Sequence, residues 1–432
     1  MITTDITVVG GGCVGLTAAL SLSTIGYKVL VIDRASAEQE LSEPESRVSA
    51  ISIASQRVLT NLGAWQHLQS GRIRPYQTMH VWDKESFANI HFDAADISLP
   101  QLGHIIENNN IRNALIKAAR QDTNIELKFE SEITSLHNKP EQVLLTLSDG
   151  SPVLSKLLVA ADGANSWVKQ QLKASTTYSD YDHHAIVANI KTTEPHLGCA
   201  RQVFLPQGPL ALLPMADAHT CSIVWSTAPD HANELLSQNE KNFSHALTAA
   251  TDSVLGVCEL ITKRQSFPLT MRYTQQWLQD RVVFIGDAAH TIHPLAGLGM
   301  NLGLMDAASL ADALTRDEAK RSSGGTQSAS QSSPANWAEQ AKAVSLEGAG
   351  LQKSLRYFER WRKAEAQTYI LAMSSLKNLF DGDNPIKKLI RGVGLSLTNM
   401  TGPVKRKITK QAVGLDGELP SLAKRTHDYS SI

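Results

Sequence analysis

The chain has 432 residues, 42% of them apolar, enough for two or more domains with a sizeable core. Its formal net charge is −1, so no global basic excess points to nucleic acid. The four cysteines (Cys13, Cys199, Cys221, Cys258) have neither CxxC nor Cys/His spacing, which speaks against disulfides and zinc and for a reducing compartment.

Residues 5–9 read as a strand, followed by Gly10-Gly11-Gly12-Cys13-Val14-Gly15 and a helix to about Ile25. A second strand, 28–32, ends in Asp33-Arg34. This is G-x-G-x-x-G between strand and helix with an acidic residue after the second strand, the pattern of a dinucleotide-binding βαβ unit. Gly10 makes the tight turn, Gly12 admits a pyrophosphate close to the backbone, Gly15 lets helix and strand approach, and Asp33 accepts from ribose hydroxyls. The apolar stretch 6–32 would also suit a signal peptide or a membrane span. Against that, Asp5 stands in place of a basic leader, Lys28 interrupts the run, and the glycines occupy fingerprint positions. No other segment is apolar for long enough to cross a bilayer, so the expectation is a cytoplasmic protein, soluble or peripheral on the inner membrane face.

Residues 35–46 form a polar, acidic loop; after Arg47 the spacing predicts an amphipathic helix over 54–62, closed by Gly63. Residues 76–98 alternate as a half-exposed hairpin, a first excursion into a sheet domain. Residues 102–110 return to the nucleotide-binding unit and 111–120 are helical, with Asn108 or Asn110 available as a cap. Short strands at 125–129, 133–137 and 143–147 lead to an apolar strand at 156–161, which ends in Asp162-Gly163-Ala164-Asn165-Ser166. From Tyr178 to Phe267 strands dominate, at 185–190, 200–204, 210–214 and 221–225, with a helix at 240–250; this is the expected substrate domain.

A buried strand at 281–285 delivers Gly286-Asp287 to a loop. Ala288, Ala289, His290, His293 and Pro294 follow, then a glycine-studded turn, Gly297-Leu298-Gly299-Met300-Asn301, with helical spacing from Leu302. One carboxylate on a loop and free N–H groups at a helix start suit a hydroxyl-rich chain at Asp287 and an electron-rich ring edge at 297–301. His290 and His293 lie three apart, but no third ligand accompanies them and no metal is assigned. Residues 315–350 are Ser/Gly/Gln-rich and read as a disordered surface insertion, followed by a helix at about 351–379. Near the C-terminus Lys387, Lys388, Arg391, Lys405, Arg406, Lys407 and Lys410 interleave with apolar residues. They form either a basic amphipathic surface for anionic lipid or an acidic partner, or a solvated helix face packed on its apolar side.

With these pieces in order, the chain resembles, along nearly its whole length, the class A FAD-dependent aromatic hydroxylases of the p-hydroxybenzoate hydroxylase type. The resemblance rests on RVSAIS (47–52), VWDKESF (81–87), LGHIIEN (102–108), ADGANSW (161–167), ARQVF (200–204), SIVWS (222–226) and GDAAHTIHPLAG (286–297). Within that family it points to the ubiquinone-biosynthesis hydroxylases, and among them to the 2-polyprenylphenol 6-hydroxylase branch. It implies an α/β fold with a Rossmann-like FAD-binding domain of the glutathione-reductase type, built from 1–75, 101–177 and 268–314. An inserted mainly-β substrate domain (76–100 and 178–267), the insertion at 315–350 and a C-terminal helical region (351–432) complete the expected organisation.

The resemblance also implies the chemistry: NAD(P)H reduces FAD, reduced flavin takes up dioxygen as a C4a-hydroperoxide, and oxygen passes to an electron-rich phenol. Cofactor contacts are implied at Gly10, Gly12, Gly15, Asp33, Arg34, Arg47, Asn108, Asp162, Gly163, Gly286 and Asp287, and again at Pro294, Gly297, Leu298, Gly299, Met300 and Asn301. In the family pattern Asp287 holds the ribityl hydroxyls, Asp162 supports the pyrophosphate and the nicotinamide approach, and Pro294 lies by the ring. The amides of Gly297, Gly299, Met300 and Asn301 stabilise charge on the reduced ring, which makes them, with Pro294, the candidate catalytic positions. Arg47 is either a flavin contact or an ordinary salt-bridge partner beside its helix. Two departures stand out. Leu298 replaces a frequent Gln, and Lys169 replaces a usual Arg, which weakens the expected NAD(P)H contact because Lys cannot form a bidentate fork. The expected partners are a polyprenylphenol, O2, other quinone-biosynthesis proteins and membrane lipid. Four alternatives stay open: hydroxylation of another ring position, hydroxylation of a small aromatic metabolite, flavin-dependent isoprenoid reduction, and a non-catalytic, flavin-stabilised subunit of a quinone-synthesis complex.

Overall fold

The computed structural model describes all residues except 38, 42–43, 87–88, 292–297, 316–342, 381–401 and 425–432. Continuous apolar runs, as strands covered on both faces require, form the centre of the first sheet at Val29–Ile32, Val282–Phe284 and the end of Pro152–Ala160. Its order is Leu278–Gln279, Val282–Phe284, Pro152–Ala160, Ile2–Val9, Val29–Ile32 and Ile125–Lys128. From Val282–Phe284 onward every neighbouring pair is parallel. Val143–Leu147 and Ile133–Asn138 attach to Pro152–Ala160 as an antiparallel meander.

The helix Cys13–Thr24 links the first two parallel strands and is buried on nearly every face. A helix apolar all round belongs inside a core. Its small residues, among them Gly15, Ala18, Ala19 and Ser21, admit the equally small-sided helix Leu298–Ala313 against it.

The second sheet has nine strands. Its order is His290–Thr291, Gln265–Thr274, Thr176–Thr192, Thr220–Thr227, Gly208–Pro214, Cys199–Leu205, Thr78–Asp83 and Asn89–Asp93, with Cys258–Leu260 beside Thr176–Thr192. Alternation sorts its faces. Ile186, Ala188, Ile190, Ile223 and Trp225 pack with Phe243 and Leu247 under the helices Pro229–Ser237 and Glu240–Ala250. Ala185, Val187, Asn189, Ser222 and Val224 alternate with them and point the other way. From that inner face Asn189 Nδ2 donates to the carbonyl of Glu45 (3.1 Å) and Ser222 Oγ to that of Ser46 (3.2 Å), so it looks onto the segment that leads to Arg47.

Several elements differ from the sequence expectation. Gly103–Glu107 joins Val48–Ser52 and Ile73–Tyr76 in a separate three-stranded sheet. The helix after it is Asn108–Gln121, with Glu107 at its N-cap and no side-chain cap, so neither Asn108 nor Asn110 caps it. Asn110 Oδ1 instead accepts from the amide of Gln69 (3.0 Å). The strands Thr176–Thr192 and Gln265–Thr274 run unbroken through 177/178 and 267/268, the limits expected between the domains, even at Pro268. Most of the expected insertion, and Lys387, Lys388 and Arg391, lie outside the described residues. Beyond the insertion run the helices Gly348–Phe380 and Gly402–Ala412. Among the described residues, no helix is long and apolar enough to cross a membrane.

Candidate active site

The fingerprint turn is closed to side chains at two of its glycines and open at the third. Gly10 has φ +107°, and a Cβ there would sit 2.4 Å from the carbonyl oxygen of Ala161. A Cβ on Gly15 would come within 1.8 Å of the Gly10 carbonyl. At Gly12 it would meet nothing within 4 Å. Open space before a helix N-terminus is what a bound anion requires.

That space belongs to a cavity of about 400 Å³ whose walls include Gly10, Gly12, Asp33, Arg34, Asp162 and Gly163. Asp33 anchors the loop: Oδ2 accepts from the Gly11 amide (2.5 Å) and Oδ1 from the Ala35 amide (2.8 Å). Each carboxylate oxygen can accept again, so capacity for ligand hydroxyls is left. Asp162 Oδ2 accepts from the Val168 amide (3.1 Å), whereas its Oδ1 is buried with no hydrogen-bond partner. Burial pushes the Asp162 pKa up, against hydrogen bonds from Ser166 and Val168. An orphaned carboxylate oxygen beside a cavity marks a position where a ligand donor belongs.

The second glycine-rich stretch lies against the first. Gly286 has φ +57°, and a Cβ there would stand 3.0 Å from Val14 Cγ1; at Gly303 it would stand 2.5 Å from Val14 Cγ2. Val14 of the fingerprint is thus wedged between the Gly286-Asp287 turn and the helix that follows it. Asp287 is exposed, yet its pKa is raised by desolvation, against the pull of His290 and Lys169. The two facts agree for a carboxylate in a recess, accessible but crowded by protein. Buried Lys169 spans the two acidic loops, its Nζ reaching the carbonyls of Ala164 (3.5 Å) and Ala288 (3.4 Å). Burial lowers its pKa, and Arg272 adds to the effect.

The helix starts at Leu298 rather than Leu302, so Leu298, Gly299, Met300 and Asn301 form its first turn instead of a preceding loop. First-turn amides have no partner within the helix, which leaves them available as donors. The Asn301 side chain pins this turn to the strand Val48–Ser52: Oδ1 accepts from Ser52 N (2.9 Å) and Nδ2 donates to Ala50 O (2.8 Å). Pro294, Gly297 and His293 lie outside the described residues. The Arg47 guanidinium stacks 4.3 Å over the Phe267 ring, and among the described residues no ion pair engages it. Asn108 accepts from Ser49 Oγ (2.7 Å), while Cys13 Sγ donates to its carbonyl (3.6 Å), which ties it to the fingerprint rather than to the cavity wall.

Sequence reading missed two supports. Arg112 lies behind the fingerprint and donates to the carbonyls of Gly11 (2.8 Å), Ala37 (2.6 Å) and Ser36 (2.8 Å). Beneath the Asp287 turn, fully buried Asp306 accepts from the Gly286 amide (3.0 Å), His290 Nε2 (2.6 Å) and Arg362 Nε (2.7 Å). Burial alone would raise the Asp306 pKa, but His290 and Arg362 outweigh it and hold the carboxyl below its ordinary value. A signal existed in both cases: a charged residue among mostly apolar positions at helical spacing.

The comparisons with known proteins agree with this geometry. The family described as FAD binding domain matches residues 3–334. The ubiquinone biosynthesis monooxygenase COQ6, mitochondrial, of Xenopus tropicalis is 32% identical over 94% of this chain and 92% of its own length. The 3-demethoxyubiquinol 3-hydroxylase of Escherichia coli (strain K12) is 32% identical over 95% of this chain and 99% of its own. Among solved structures, pqsL, a probable FAD-dependent monooxygenase from Pseudomonas aeruginosa, shares the fold with a TM-score of 0.70 at 20% identity, over 92% of this chain and 100% of its own. The open Gly12, the Asp33 carboxylate and the orphaned Asp162 oxygen fit a flavin dinucleotide. The chain belongs to the FAD-binding-domain family, in its ubiquinone-biosynthesis branch, and is an FAD-dependent monooxygenase.

Proposed function

We propose that the enzyme hydroxylates the ring of a polyprenylated phenol in ubiquinone synthesis, with NAD(P)H and O2, and that the position is C6 of 2-polyprenylphenol. The observation that carries the pathway is end-to-end similarity to relatives named for ubiquinone biosynthesis and demethoxyubiquinol hydroxylation. The ring position rests on the resemblance to the 2-polyprenylphenol 6-hydroxylase branch alone.

The inner sheet face supports an apolar substrate. Val187, Ala211, Leu213, Val224 and Phe267 are half-buried there and uncharged. A phenol with an isoprenoid tail suits such a face, whereas a small aromatic acid needs a fixed cation. FAD bound here supplies dioxygen activation and oxygen transfer. Gly10, Gly12, Asp33, Arg34, Asp162 and Gly163 would hold its nucleotide end, and Asp287 would accept from the ribityl hydroxyls. Amides of Gly299, Met300 and Asn301 would face negative charge that develops at the ring, preorganised because Asn301 fixes the helix start.

Quinone-precursor profiling of a deletion strain tests this. Accumulation of 2-polyprenylphenol, relieved by the restored gene, is expected. A demethoxyubiquinone-type precursor would move the reaction to another carbon, and unchanged quinone would remove the enzyme from the pathway. A second reading draws on Arg47, an exposed cation over Phe267 on the same face: a hydroxylase of small aromatic acids. NAD(P)H oxidation stimulated by a simple hydroxybenzoate, with none by a prenylphenol, would favour it.

A further inference from the structure

The helix Gly402–Ala412 carries Lys405, Arg406, Lys407 and Lys410 and no acidic residue. Its inward side is defined by three contacts. Lys405 pairs with Asp96 at 2.9 Å, Thr409 is buried, and just past the helix the carbonyl of Val413 accepts from the Ala54 amide (3.3 Å). On the outward side Val404 is 51% and Ile408 40% exposed, one turn apart, with Arg406, Lys407 and Lys410 exposed around them. The helix Gly348–Phe380 meets this one through Tyr369 Oη, which donates to the Gln411 carbonyl (3.4 Å). Asp416 and Glu418 follow beyond the helix end, and Glu418 accepts from Tyr357 Oη (3.1 Å).

An acidic protein partner would need the cations but not the aliphatic side chains; an apolar protein face would need the reverse. Both together match a bilayer interface, with cations at lipid phosphates and Val404 and Ile408 below them. We propose that this outward face docks the enzyme on an anionic lipid bilayer. The face adjoins the candidate site. A Cβ on Gly414, two residues past the helix, would stand 2.9 Å from Ala54 Cβ and 3.3 Å from Ser52 Oγ, and Ser52 N is the group bound by Asn301 at the start of the helix Leu298–Ala313. Docking here brings the active-site helix next to lipid, which serves a lipid-borne phenol; that advantage rests on the proposed function, while the docking itself does not.

Flotation of the full-length holoenzyme with phosphatidylcholine vesicles, with and without phosphatidylglycerol, tests the proposal. Binding is expected only to the anionic vesicles, and it should weaken with added salt. The triple variant Arg406→Gln/Lys407→Gln/Lys410→Gln should lose on the order of a hundredfold in partitioning. Val404→Ser/Ile408→Ser should also bind more weakly, with flavin content unchanged in both variants. Equal partitioning of wild type and variants, or no binding to anionic vesicles, would overturn docking. So would lipid-free self-association that Val404→Ser/Ile408→Ser abolishes, since the face would then join two copies. Intact vesicle binding without turnover of any prenylphenol would leave docking standing and sink the substrate assignment.

Discussion

Gly12 and Gly15 stand three residues apart and make opposite predictions. A Cβ at Gly12 enters open space, so Gly12→Ala should leave apoprotein unfolding unchanged while FAD binding weakens sharply. Gly15→Ala forces a carbon against the Gly10 carbonyl and should lower apoprotein stability as well. Denaturant unfolding of the apoproteins, set beside flavin titration, separates the two. At the other stretch, Asp287→Ala should weaken FAD retention by about 1.5–3 kcal/mol, the usual value of hydrogen bonds to a charged acceptor. Unchanged affinity would mean that the ribityl chain is held elsewhere. Lys169 reads differently once its neighbours are known. Whatever it offers NAD(P)H, its ammonium joins the loops of Asp162 and Asp287 from beneath, at Ala164 and Ala288.

At the scale of elements, the site depends on how closely the helices Cys13–Thr24 and Leu298–Ala313 approach. Gly303→Ala would push a methyl group into Val14 Cγ2, a stiff branched side chain already against Gly286, and should cost about 1–3 kcal/mol. Adding Val14→Ala should recover part of that loss in a double-mutant cycle. The Asp306 network sets the second contact, since one carboxylate holds the Gly286 amide, the His290 ring and an arginine from the helix Gly348–Phe380. Arg362→Met leaves a buried carboxylate without its arginine partner and should cost about 3–5 kcal/mol in urea unfolding. A loss below 1 kcal/mol, roughly a surface pair's value, would show that His290 alone satisfies Asp306.

For the whole molecule, desolvated histidines set a pH dependence. Burial pulls the His104 pKa down to about 4, and His80, desolvated and beside His91, is also lowered to about 4. The unfolded chain therefore takes up these protons first, near the ordinary 6.5. Stability is fully present above that value and is lost as pH falls toward 4. His104 alone should account for about 1 kcal/mol between roughly pH 6.5 and 5.5. Urea unfolding across that interval should find the loss, and His104→Gln should reduce its slope. A flat profile in the wild type would mean that His104 protonates without leaving its place beside Gln101 and Trp65.

How much of this was legible in the sequence follows from distance along the chain. The fingerprint, the acidic end of the second strand and the Asp162 and Asp287 turns each rest on residues within a few positions of one another, because turns and phosphate approaches are local problems that glycine solves locally. Alternation likewise exposed the substrate sheet. The meeting of the two glycine-rich stretches at Val14, the bond between Asp306 and Arg362 56 positions away, and the Arg112 clamp on Gly11 were decided only by tertiary structure. A buried charge announces that it needs a partner but not which one, and strands that run through a domain limit leave no turn to mark it. By itself the sequence determined which ligand chemistry the chain is built for; the fold decided which distant side chains hold that chemistry still, because packing and charge pairing act through space rather than along the backbone.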